Sequence, residues 1–243
     1  MRLLVTRPEP DATELKAHLV AQGHEVLVEP LITISFDNAD PVEPVGVQAL
    51  IATSRNALRA VAESPAFEDA RDIPLFTVGP GTAATALALG FKRVLKGPGR
   101  AQDLLPVVAE VAEVNAGPLM HLAGDRLAFD LAGELRRLGF HVLQPTVYTT
   151  HAAQRFSEPI VARLEAREID GVLLLSPRTA EIYARLIRHH GLQRRIVDVV
   201  HYCLSAAAAA RLAGIGPLRQ AVAAAPNLQE VLALVARAAP QSG

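Results

Sequence analysis

The chain has 243 residues, half of them apolar, which is enough for one large domain or two small ones, each with its own core. Its 24 Lys and Arg against 25 Asp and Glu provide no broad basic face for nucleic acid or an anionic membrane, so any anion must be caught locally. A single cysteine, Cys203, excludes an internal disulfide, no apolar run approaches the ~18 residues of a membrane span, and the amino terminus carries no export signal; a cytoplasmic globular protein is expected.

Short apolar runs predict strands near Leu3–Val5, Val26–Val28, Leu50–Ala52, Phe76–Val78, Leu119–Leu122, Val142–Leu143, Val172–Leu175, His201–Leu204 and Ala221–Ala223, with helices between them. Continuous rather than alternating apolar strands predict parallel sheets covered on both faces, an α/β fold. The first helix is expected to start with Asp11 as N-cap and Glu14 closing a capping box, to bury Ala12, Leu15 and Leu19, and to end at Gly23. Gly79-Pro80 and Ser176-Pro177 each place a small cap and an N1 proline directly after a strand. Two Thr-containing stretches that follow prolines, Ile32–Phe36 and Val147–His151, read as extended.

A shift of 116 positions brings Leu15, Leu19, Gly23, Val26 and Leu27 onto Leu131, Leu135, Gly139, Val142 and Leu143. With small gaps the match continues from Leu50–Leu58 onto Val172–Ala180, which sets Ser54 on Ser176, and from Val78–Ala83 onto Leu204–Ala209. The halves read as a duplication.

Seven segments together resemble the uroporphyrinogen-III synthase family: VTRP at Val5–Pro8, Gly23–Ile32, TS and NA within Thr53–Ala57, VGPGTA at Val78–Ala83, LAGD at Leu122–Asp125, VYTT at Val147–Thr150 and LSP at Leu175–Pro177. Their order and spacing carry the resemblance, which covers essentially the whole chain. It implies two flavodoxin-like parallel-sheet domains, residues 1–34 plus 151–243 and residues 35–150, joined by two extended linker strands with the active site in the cleft between them. The duplication makes the discontinuity intelligible, because each half can complete the sheet begun by the other, and the two crossings can pair as a short ladder. The resemblance also implies a cofactor-free cyclisation of hydroxymethylbilane to uroporphyrinogen III with the last ring inverted, through azafulvene and spiro intermediates. A monomer that meets the upstream deaminase transiently is the expected state.

In open parallel sheets, ligands collect beyond the carboxyl ends of strands, where helix N-termini present unpaired N–H groups. The turns holding Arg7, Ser54 and Asn56, Gly79 and Thr82, Gly124 and Asp125, Ser176 and Arg178, and Ser205 offer many backbone donors and few fixed charges, which suits a ligand rich in carboxylates. By the resemblance, Tyr148 is the candidate proton donor to the departing hydroxyl. Each assignment has an alternative: Tyr148 as a packing residue between domains, Ser54, Ser176 and Gly79 as helix caps only, and Arg7 paired with Glu9 or Asp11, with the same alternative of a surface pair for Arg178. The sequence departs from the family at Ser205, Ala206 and Ala208, where a glycine-proline-threonine-threonine turn is usual. The histidines form no metal pattern and Cys203, in an apolar strand, reads as inert. A two-domain binding protein for an anionic small molecule remains the alternative class, and a nucleotide-dependent transferase finds no phosphate fingerprint.

Overall fold

Runs in which every side chain is buried become the inner strands, as at Ala49–Ala52 and Gly171–Leu174, whereas Glu25–Val28 and Arg219–Val222, with exposed members, lie at edges. The computed structural model describes residues 1–238; residues 239–243, the end of the segment expected to run from 151 to 243, lie outside the described residues. The first half of the chain comprises β1 (Arg2–Val5), α1 (Asp11–Ala21), β2 (Glu25–Val28), β3 (Ile32–Ser35), β4 (Ala49–Ala52), α2 (Arg55–Ala62), α3 (Phe67–Ala70), β5 (Leu75–Thr77), α4 (Pro80–Ala88), β6 (Val94–Lys96) and α5 (Ala101–Val111). The second comprises β7 (Leu119–Gly124), α6 (Leu131–Arg137), β8 (Val142–Leu143), β9 (Thr146–Ala152), α7 (Glu158–Glu165), β10 (Gly171–Leu174), α8 (Pro177–His189), β11 (Val200–Cys203), α9 (Ala206–Ala210), β12 (Arg219–Val222) and α10 (Leu228–Ala238).

Contacts divide the chain into two compact units, Met1–Thr33 with His151–Gly243, and Ile34–Thr150. The first unit holds a five-stranded sheet in the order β12-β11-β10-β1-β2, parallel throughout. Leu3 and Val5 face Leu15 and Leu19 of α1 and Val231 and Val235 of α10, while Leu4, Val172 and Leu174 are buried as well. Both faces of the strands are covered, which is why they carry no polar alternation.

The second unit repeats the arrangement: β6, β5, β4, β7 and β8 pair in parallel, with β4 between β5 and β7. Successive residues of β4 serve opposite layers, Leu50 and Ala52 packing with Leu58 and Val61 of α2, and Ala49 and Ile51 with Leu104 of α5 and Leu131 and Leu135 of α6. Beyond β8, the carboxyl half of β7 pairs with β9, and β3 pairs with β9 in turn. Each sheet thus draws β-strands from both halves of the duplicated sequence.

One strand, β6, was not expected, and the start of α1 differs from expectation. Pro10 takes the cap position with no side-chain cap hydrogen bond and Asp11 is the first helical residue. The Arg7 guanidinium draws the Asp11 carboxylate into an ion pair at 2.6 Å, so Asp11 does not cap, and Glu9 Oε2 instead accepts from the Thr13 N–H at 3.0 Å.

Candidate functional site

Because every strand pair at the sheet centres is parallel, the carboxyl ends of β5, β4 and β7 lie side by side in one unit, and those of β11, β10 and β1 in the other. Gly79, Ser54 and Gly124 therefore occupy neighbouring turns, as do Ser205, Ser176 and Arg7.

The three serines do the same local work. Each has extended backbone and accepts an N–H of the helix it opens: Ser54 Oγ from Asn56 at 3.1 Å, Ser176 Oγ from Thr179 at 3.0 Å and Ser205 Oγ from Ala208 at 3.3 Å. The duplicated pair Ser54 and Ser176 has kept this role. Such caps leave the other first-turn N–H groups to meet an anion at the positive end of the helix dipole. Ser176→Ala is expected to lower the unfolding free energy by about 1 kcal/mol in urea denaturation; an unchanged midpoint and slope would remove the cap from the account.

Gly79 caps α4 with Pro80 at N1, and Thr82 is buried in that first turn. A Cβ on Gly79 would stand 3.0 Å from Gly99 Cα, so the turn is braced by the Gly97–Gly99 segment, whose N–H groups donate to Thr77 and Val78 carbonyls at 2.7 Å. Asn56 Oδ1 accepts from Arg59 Nη1 at 3.0 Å. Arg7, expected at the substrate or in a solvated pair, is mostly buried against Asp11. The Ser205 turn opens a short alanine helix and supplies backbone donors without threonine hydroxyls.

Tyr148 stands on β9 at the carboxyl end of β7. Ala123 N–H donates to the Pro145 carbonyl and Asp125 N–H to that of Tyr148, so two residues along β7 span three along β9. This bulge brings Tyr148 rather than Val147 alongside Gly124, and leaves Val147 in the core. Asp125 also accepts from Thr150 Oγ1 at 2.9 Å and lies 3.8 Å from Arg126 Nε.

Beneath this edge runs a buried polar chain that sequence reasoning did not assemble. His121 of β7 lies between Gln144 Nε2, 3.0 Å from Nδ1, and Thr53 Oγ1, 3.4 Å from Nε2. Burial lowers its pKa to about 4, so the ring is neutral at pH 7. In the other unit His201 of β11 accepts from the Tyr183 hydroxyl and donates Nδ1–H to the Arg219 carbonyl, each at 3.3 Å, and burial again takes its pKa to about 4. Thr6, just past β1, donates to the Leu173 carbonyl at 2.7 Å and ties two carboxyl ends together. Cys203 is buried in β11 and its thiol is pushed up to about 11, which suits an inert core group. Of these, the histidines' placement in strands and the inert Cys203 in its apolar strand had a visible signal; the hydrogen-bond partners did not.

A family model described as uroporphyrinogen-III synthase HemD matches residues 13–233. A comparison with curated proteins finds no match. Among solved structures the chain is similar to uroporphyrinogen-III synthetase from Helicobacter pylori, with 18% identity, 98% of this chain and 99% of that one covered, and a TM-score of 0.66. It is also similar to a mutant uroporphyrinogen III synthase from the extremely thermophilic bacterium Thermus thermophilus, with 17% identity, 98% of each chain covered and a TM-score of 0.54. Those likenesses establish a shared fold. With the family model spanning nearly the whole sequence, the chain belongs to the uroporphyrinogen-III synthase family, lyases of tetrapyrrole biosynthesis.

Proposed function

We propose that Tyr148 of this uroporphyrinogen-III synthase delivers the proton that removes the terminal hydroxyl of hydroxymethylbilane as water, and that the carboxyl-end turns of each unit hold the substrate's acetate and propionate groups. The supporting observation is the bulge that sets Tyr148 beside the carboxyl end of β7, next to turns at Ser54 and Gly79 whose helices begin there. Loss of water leaves an azafulvene at the first ring. The substituted carbon of the last ring attacks it to form the spiro intermediate, which then fragments and recloses with that ring inverted. A positioned phenol contributes roughly 10²–10⁴-fold as general acid. Holding a flexible bilane in one folded form contributes through positioning, since the unassisted chain closes to the uninverted isomer.

Backbone N–H groups at the turns of Arg7, Ser54 and Asn56, Gly79 and Thr82, Ser176 and Arg178, and Ser205 are the proposed carboxylate donors. They suit a polyanion in a chain whose net charge is −1, because they attract the ligand without a basic patch. In the first unit the first strand, β1, lies between the second and the third, β2 and β10, which supports reading that unit as a flavodoxin-like domain. In the parallel core of the second unit, β6-β5-β4-β7-β8, the first strand β4 lies between β5 and β7, so there the parallel pairing alone supports an α/β domain. The division of contacts at Thr33 and Thr150 supports boundaries near 34 and 150.

The decisive experiment is a coupled assay in which a deaminase makes hydroxymethylbilane in situ, the purified protein is added, and the oxidised products are separated. Type III uroporphyrin is expected to dominate. Type I alone, with folded protein present, would overturn the assignment and leave a binding protein for an anionic ligand.

A further inference from the structure

Gly124 needs no special backbone: it is not among the glycines with positive φ, so its conformation admits an alanine. What excludes a side chain is Tyr148. A Cβ built on Gly124 would stand 2.7 Å from the phenol oxygen and 2.7 Å from Cε2, with Cζ nearer still, far inside van der Waals contact. The next residue continues the grip on β9. Asp125 N–H donates to the Tyr148 carbonyl at 3.1 Å, and its carboxylate receives Thr150 Oγ1 at 2.9 Å.

We infer that Gly124 and Asp125 are positioning residues for the Tyr148 phenol rather than contacts for the substrate. This rests on the proton-donor reading of Tyr148. Gly124 is the floor on which the ring lies and thereby fixes the direction of its hydroxyl, while Asp125 holds β9 at the tyrosine's own carbonyl and again two residues beyond it, at Thr150. A carboxylate is also a poor contact for a substrate bearing carboxylates, because two like charges at short range repel, whereas engagement by Thr150 and Arg126 gives Asp125 a role within the protein. Displacing a catalytic group by an ångström costs on the order of 100-fold in rate, which sets the scale of the effect.

Activity cycles test this. Gly124→Ala is expected to lower kcat about 100-fold with KM nearly unchanged, and to cost almost nothing further in a Tyr148→Phe background, where no hydroxyl remains to be aimed. Asp125→Ala is expected to lower kcat as well, and Asp125→Asn, which keeps an acceptor for Thr150, to recover most of it. A thermal cycle checks the contact itself: Gly124→Ala should lower Tm in the wild-type background and not in Tyr148→Ala, where the ring is gone. A Gly124→Ala loss of kcat that persists in full beside Tyr148→Phe, or a rise in KM as its main effect, overturns the positioning role alone. Wild-type turnover by Tyr148→Phe overturns the proton donor and the positioning role with it, and the thermal cycle then still reports whether the ring lies on Gly124.

Discussion

Replacement of Tyr148 by phenylalanine is expected to slow formation of uroporphyrinogen III about 100-fold or more, the share that a general acid carries. That loss corresponds to roughly 2.7 kcal/mol of transition-state stabilisation. Phenylalanine keeps the ring over Gly124 and the core contacts that Tyr148 makes with its neighbours, so KM and Tm should stay close to wild type. The bilane that leaves the slowed enzyme unreacted closes unaided, so the fraction of type I product should rise as the rate falls. Single-turnover measurement of both isomers separates the outcomes: an undiminished type III rate would show that another group protonates the hydroxyl, and a KM effect alone would make the tyrosine a binding residue.

Acidification from pH 7.5 to pH 5 is expected to destabilise both units. His121 and His201 are neutral in the fold with pKa values near 4, against an ordinary value of 6.5 once unfolded. Between those values the unfolded chain binds more protons than the native one, so stability rises with pH across the window and is lost as pH falls from about 6.5 towards 4. Each ring should cost about 2 kcal/mol at pH 5. The two lie in different units, His121 within Ile34–Thr150 and His201 in the other, so each unit carries its own acid-sensitive group. Urea unfolding at several pH values measures this. Substituting His121 by Gln should flatten the pH dependence of its own unit and leave that of the other unchanged; equal slopes in wild type and variant would dismiss the histidine as the cause.

The inner strands were legible because they are short, continuous and apolar, and the crossover stretches because prolines precede extended, Thr-containing segments. The strand β6 was not, since Val94 and Leu95 are only half buried and Lys96 is exposed, which leaves an edge strand with too little apolar signal. The capping box failed at Asp11 because the Arg7–Asp11 pair, an alternative the sequence also offered, claims the carboxylate that the spacing rule assigns to the cap. At the site, the serine and glycine caps could be read from residue type and position after a strand. The contact between Tyr148 and Gly124 could not, because it depends on a bulge that shifts the pairing of β9 by one residue against β7. A shift of one position changes which residue faces which neighbour, and nothing local to Val147–Thr150 encodes it. The His121 chain was hidden for a related reason: Thr53, His121 and Gln144 meet only once β7 is paired with β4 on one side and β8 on the other.

The interleaved strand order also fixes when each sheet can be finished during synthesis. Residues 34–150 are contiguous and contain every strand of one unit's parallel core, so that unit is complete while the chain is still growing. The other starts with β1 and β2, made ahead of that contiguous stretch, yet β10, which pairs with β1, emerges only after the whole intervening unit. The early strand-helix-strand segment must therefore wait with one apolar edge uncovered, and its closure is the long-range, slow step of folding. A nascent chain released before Gly171 would hold one folded unit and one orphaned segment.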